Sequence, residues 1–127
     1  MTPYNLSFHD SEVASVVAEG AVLTVRLAVA AVRRGPQTGY LPEVRWVFHD
    51  ARWHGAALAV CVGRLVDGQW QADGLPHRDL PVAGAGLSQG PVAVTLVFQN
   101  HEQLHIQAAH AEIHLPDPSR FAESYAC

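Results

Sequence analysis

An all-β antiparallel fold, a β-sandwich or barrel of about seven strands with a short C-terminal helix, is predicted from three observations. Turn residues punctuate the chain at short intervals. The runs between them are rich in Val, Leu, Ile, Thr and aromatic residues. Within several runs apolar and polar residues alternate with the period of two that a half-buried strand requires.

The elements follow in order. Glu12 to Glu19 reads as a first strand, Glu19-Gly20 as a turn, and Ala21 to Arg33 as the returning strand. In the latter Leu23, Val25, Leu27 and Val29 alternate with Thr24, Arg26 and Ala28, and the β-branched residues weigh against a helix. Gly35 to Gly39 is a loop. Glu43 to His49 is the third strand, with Val44, Trp46 and Phe48 on one face. Ala56 to Val66 is the fourth, with Leu58, Val60 and Val62 sharing a face. Asp67-Gly68 carries a two-residue hairpin signal, which makes Gln69 to Ala72 a short fifth strand. Asp73 to Gly90, with many Gly and Pro, reads as a long loop. Val92 to Gln99 and Gln103 to Leu115 are the sixth and seventh strands. Asp117-Pro118 looks like a helix cap, so a helix is expected from Pro118 to about Tyr125, packing Phe121 and Tyr125 on the sheet.

Length and composition fit one folded domain, residues 1–127, with 49% apolar and 16% charged residues. The net charge is −4, every basic residue is Arg, and the arginines are scattered, so no patch for nucleic acid is expected. Cys61 lies in an apolar run and Cys127 is far from it, which suits two unpaired thiols in a reducing compartment. The opening Met1 to Leu6 has no basic segment before an apolar stretch. The run Ala21 to Val32 is too short to span a bilayer, so no membrane association and a cytoplasmic location are expected. Ala21 to Val32 and Ala56 to Val62 are apolar on both faces, a surplus that points to self-association as a homodimer.

Histidine supplies the candidate chemistry. The chain has 8, and His101, His105, His110 and His114 fall close together. In His110-Ala111-Glu112-Ile113-His114 the polar residues share one face of a strand. Neighbours on that face are about 6.6 Å apart and can share a divalent metal, whereas residues four apart, at about 13 Å, cannot without a kink. A metal site therefore needs one adjacent pair plus help from elsewhere, and His49, Asp50, His54, His9 and Asp10 are the candidates. A solvent-facing polar stripe explains the same alternation. The apolar parity also changes in this strand, from Leu104, Ile106 and Ala108 to Ala111, Ile113 and Leu115. Either a β-bulge beside a site or a bend between sheets does this.

Two His-Asp pairs, His9-Asp10 and His49-Asp50, can work together only within a turn, where an Asp also bonds its own backbone. Trp53 and His54 follow the second pair and would wall a pocket with Trp46 as a further binding candidate. The two pairs belong to an internal echo, Phe8-His9-Asp10-Ser11 and Phe48-His49-Asp50-Ala51, which a duplicated unit or coincidence would produce. No Gly-x-Ser-x-Gly segment supports a nucleophile, and no Lys follows the glycines of Gly84 to Gly90 as a phosphate loop requires.

The opening Phe8-His9-Asp10-Ser11-Glu12-Val13, leading into two strands joined at a glycine, resembles a loose group of small bacterial β-rich proteins. Their functions are largely unknown, and some similar domains are thought to be immunity proteins that neutralise toxins. The resemblance covers about residues 8 to 30 and implies a compact β fold and a binding role. The expectation is a non-catalytic binding or interaction module that takes a protein partner, with His9, Asp10, Trp46 and Trp53 among its contacts. The alternatives are a metal protein or metal-dependent enzyme using His110, Glu112 and His114 with His49, Asp50 and His54, and a small-ligand carrier lined by Trp46, Phe48 and Phe98.

Overall fold

The alternation along the chain is realised as antiparallel sheet. The computed structural model describes residues 4–72, 75–77, 79–82, 86–89, 91–116 and 120–123. Its strands are β1 (Tyr4–Glu19), β2 (Val22–Arg34), β3 (Gln37–His49), β4 (Arg52–Gly55), β5 (Gly63–Ala72) and β6 (Leu75–His77). They continue as β7 (Asp79–Val82), β8 (Gly86–Gln89), β9 (Val92–Phe98), β10 (Gln103–Ala108), β11 (His110–His114) and β12 (Ala122–Glu123). The order is β4-β10-β9-β5-β1-β2-β3-β11-β8, with β6, β7 and β12 attached to β5, β1 and β3. The terminal strands β4 and β8 are not paired with each other, so among the described residues the sheet is open and a closed barrel is excluded.

The sheet has two wings. One holds β4, β10, β9 and β5; the other holds β1, β2, β3, β11 and β8. The direct seam between them is short: Glu12 pairs Arg64, and Val13 pairs Gly63. Inward-facing residues of both wings nevertheless join one buried cluster that includes Phe8, Trp46, Phe48, Leu96, Phe98, Leu104 and Ile106. Phe8 stacks on Trp46 with ring centres 5.8 Å apart, and Trp46 meets Phe48 at 4.9 Å. Such pairs add to the burial of their apolar area. Trp46, Phe48 and Phe98 are thus packing residues.

Several expectations are corrected. The described residues form twelve strands where about seven were expected. Asp67-Gly68 makes no hairpin: β5 runs through it, and Gly68 pairs Leu96. The reason is packing, because a Cβ on Gly68 would lie 2.6 Å from the Phe8 ring. Asp67 instead marks a register shift, and its carboxylate accepts the Gly68 amide at 2.8 Å. The stretch Ala56 to Val66 is not one strand. A 3-10 turn occupies Leu58–Val60, and β5 begins at Gly63, whose φ is 98°. Val60 and Val62 are exposed, so the expected shared face does not form. The expected loop Asp73 to Gly90 contains β6, β7 and β8, and its remaining residues lie outside the described ones.

The C-terminal helix is overturned as well. Residues 117–119 and 124–127 lie outside the described residues, but Ala122 and Glu123 are extended and pair Tyr40 and Gly39. Gly39 permits this approach, since a Cβ there would meet the Phe121 ring at 2.7 Å.

Corners turn the chain between wings. The predicted long strand Gln103 to Leu115 is interrupted at Ala109. β10 pairs β9 and β4, whereas β11 pairs β3 and β8. The change of apolar parity is therefore a bend between wings, and Leu104 and Ile113 are both buried on their own sides. The two Phe-His-Asp segments are corners too, the first inside β1, which stays in one wing, and the second between β3 and β4, which lie in different wings. Asp10 has φ 73° and Asp50 has φ 50°, a region that Asp tolerates better than most residues. Phe8 and Phe48 are both buried before the corner, and Ser11 and Ala51 after it. At the first corner the Ser11 hydroxyl donates to the Ser7 carbonyl at 2.6 Å and accepts the Ala31 amide at 2.9 Å. At the second, Ala51 N–H donates to Ala21 O, and Ala109 N–H donates to His49 O. The corner at Ala109 is therefore tied to the corner at His49. The sequence echo corresponds to a repeated local structure.

Candidate functional site

Strand pairing gathers the histidine cluster. β11 lies beside β3 with His110 opposite His49, Glu112 opposite Val47 and His114 opposite Arg45. Side chains at alternate positions of paired strands share a face. Ala111 and Ile113 point into the core, so His110, Glu112 and His114 face outward with His49.

Glu112 is the hub. Its Oε1 lies 3.4 Å from His110 Nε2, and its Oε2 lies 3.2 Å from His114 Nε2 and 3.7 Å from His49 Nε2. A carboxylate only accepts hydrogen bonds, so the Nε2 atoms of His110 and His114 carry the protons in these contacts. The His49 and His110 rings lie 5.6 Å apart, tilted by 36°. Hydrogen bonds from His110 and then His114 hold the Glu112 carboxyl below its ordinary range, against the opposing effect of burial. The four side chains are 37–47% exposed, so the cluster sits on an open face.

The other candidates go elsewhere. His54 is on β4 and stacks on His105, its pairing partner on β10, with ring centres 4.8 Å apart. His105 Nδ1 lies 3.1 Å from the Thr95 hydroxyl. Asp50 is exposed at its corner, Trp53 packs partly against the core, and Trp46 is buried. These residues do not converge with the Glu112 cluster. His9 and Asp10 form a separate group, with His9 Nδ1 3.1 Å from Asp10 and Arg64 also paired to Asp10. The hydrogen bond from Arg64 is the main reason the Asp10 carboxyl is lowered. His9 and Asp10 border a shallow cleft of about 330 Å³ with Ser7, Arg33, Thr38 and Tyr40.

Two residues outside the sequence candidates belong to the same outer face. Arg26 of β2 stands opposite Arg45 of β3, which stands opposite His114 of β11. The three side chains are exposed and form one row across the sheet. Only the cross-strand register places them together, and no local pattern in the sequence carries that register. Arg26 and Arg45 also line an open cleft of about 560 Å³ with Ala28, Pro42 and Glu43. There the ladder is interrupted, because Leu27 pairs Val44 and Val29 pairs Pro42, while Glu43 takes a left-handed φ of 55°.

Among the described residues no group of three or more His, Cys, Asp or Glu side chains is set to hold a metal ion. No described helix is long and apolar enough to cross a membrane. No family of proteins, curated protein or solved structure matches the chain.

Proposed function

We propose that the chain is a non-catalytic interaction module, a two-winged β-sandwich whose contact face is the outer surface of β2, β3 and β11. The observation that carries this reading is the convergence of His49, His110 and His114 on the Glu112 carboxylate across an open sheet face. A general acid at neutral pH needs a raised carboxyl pKa and a site that excludes water. Glu112 has the opposite setting: its pKa is lowered and its side chain is open to solvent. It is suited to holding imidazoles in place and accepting hydrogen bonds. Histidine rings beside a carboxylate offer a partner donors, an acceptor and flat apolar area together. A protein partner fits this surface, in keeping with the binding role implied by the resemblance of the Phe8-His9-Asp10-Ser11 opening to small β-rich proteins of largely unknown function, some of them immunity-protein-like.

One observation favours a second reading, a divalent metal on the same cluster. Two ligands of one tetrahedral ion, each about 2.1 Å from it, lie about 3.4 Å apart. Glu112 Oε2 is 3.2 Å from His114 Nε2 and 3.7 Å from His49 Nε2. Among the described residues no three side chains are set to hold an ion, so a metal would have to draw these exposed side chains together by rotation.

The test is affinity capture by three tag-free, surface-immobilised forms: wild type, His110→Ala/Glu112→Ala, and an Arg52→Gln control on the other wing. The captures are paired with calorimetric titration of zinc and nickel. A protein held by wild type and control but lost by the double variant supports the interaction module. Stoichiometric metal binding lost in the double variant moves the assignment to the metal reading. Equal capture by all three forms, or turnover of a small substrate by pure protein, overturns the proposal.

A further inference from the structure

We infer that the partner of this face presents carboxylates, and that an acidic segment docks along the row Arg26, Arg45 and His114. This inference rests on the interaction-module reading and names the chemistry of its partner.

The argument starts from charge. Side chains directly opposite each other on antiparallel strands have Cβ atoms about 5 Å apart, and like charges placed so repel. Arg26 and Arg45 occupy such positions. Neither makes an ion pair among the described residues, whereas Arg64 is paired with Asp10 and Arg120 with Glu43. The nearby carboxylates are already engaged. Glu43 accepts from Arg120 at 2.9 Å, and Glu112 is surrounded by imidazoles. Two guanidinium groups are therefore left facing solvent on a chain whose net charge is −4. A positive row on an acidic protein is a local feature that selects a partner of opposite sign.

The shape of the row points to an extended acidic segment. Guanidinium groups take carboxylates through two parallel N–H donors. Successive members of the row sit on adjacent strands, spaced by about 4.8 Å, so the two guanidinium groups and the imidazole run across the sheet and not into a pit. The cleft beside Arg26 and Arg45 is open, and its lining includes the short side chains of Ala28 and Pro42, which leave the backbone of a docked segment room to approach. His114 closes the row next to Glu112, so the docked segment would reach the histidine cluster. A small oxyanion is the competing occupant, and the experiment separates the two.

The probe is a fluorescein-labelled hexaglutamate peptide, read by anisotropy at low and at physiological salt, with unlabelled pyrophosphate as competitor. The proteins are wild type, Arg26→Gln, Arg45→Gln, and Arg52→Gln as a control of equal charge change. Peptide binding is expected for wild type and control, and to weaken about two- to fivefold in each row variant, as for loss of one exposed charge-assisted contact. A second readout guards against misfolding. Arg26→Glu replaces a repulsive pair with an attractive one, so it should raise the urea midpoint while abolishing peptide binding. Equal binding by row variants and control overturns the inference. So does pyrophosphate binding, read directly by titration calorimetry on the same proteins, without peptide binding. If the peptide fails yet a captured protein still depends on His110 and Glu112, this inference falls and the interaction module stands. If neither dependence is found, both fall.

Discussion

Glu112 shows how a single side chain sets the pH response of a surface. Its folded pKa lies below its ordinary value because His110 and His114 donate to it. The folded state thus binds fewer protons than the unfolded state in this range. The stability this group contributes is present above its unfolded pKa and is lost as pH falls through its lower, folded value. Urea unfolding followed from pH 7 to pH 3 should show a steeper acid decline for wild type than for Glu112→Gln. Parallel profiles would mean that the imidazole contacts do not persist in solution. Cys61 gives a second expectation at this scale. It is buried, and burial raises its thiol pKa, so little reactive thiolate forms at neutral pH. A disulfide-exchange reagent should label it only after unfolding. The candidate site was legible where it depended on alternation alone: His110, Glu112 and His114 share a face as their spacing requires. His49 was one candidate among several, because pairing with His110 is a fact of register. The arginine row was not legible at all, for the same reason.

Elements departed from the sequence reading where packing outweighed local preference. Asp67-Gly68 has the chemistry of a tight turn, yet the glycine is needed in a straight strand because the Phe8 ring occupies the space of its side chain. Gly68→Ala should therefore destabilise the protein by about 1–3 kcal/mol, the usual cost of overpacking. Paired with Phe8→Ala, which removes the ring atoms nearest that Cβ, the cost should shrink, and denaturant midpoints of the two single variants and the double variant measure the coupling. A turn at Gly68 would instead leave alanine nearly neutral. The strands β2 and β9 were read almost residue for residue, since strong alternation and a flanking turn agree there. Gly35 to Gly39 was read as a loop, whereas only Gly35 and Pro36 turn the chain and β3 begins at Gln37. The run Ala56 to Val62 misled because small apolar residues suit a 3-10 turn and a strand alike. The expected helix failed because Phe121 packs over Gly39, a contact between residues far apart in sequence.

At the scale of the molecule, all-β antiparallel architecture was legible, and closure was not. Whether a sheet closes depends on which strands meet at its ends, and here they are β4 and β8, both of four residues. Short edge strands limit pairing with other copies. Most strand pairs in the order join distant parts of the chain, as β3 with β11 and β5 with β9. Non-local pairing slows folding, so refolding in milliseconds to seconds is expected by stopped-flow fluorescence of the tryptophans. Trp46 and Trp53 lie on opposite sides of the second corner, and a single cooperative transition in fluorescence and circular dichroism would show the wings unfolding together. Separate transitions would show them to be independent. The bend at Ala109 bears on which result to expect. Through it one length of backbone serves both wings, anchored midway to the His49 carbonyl. Tension on either wing passes to the other along covalent bonds, so fraying should begin at the free margins and reach this crossing last, leaving the Ala109 amide among the slowest to exchange with heavy water.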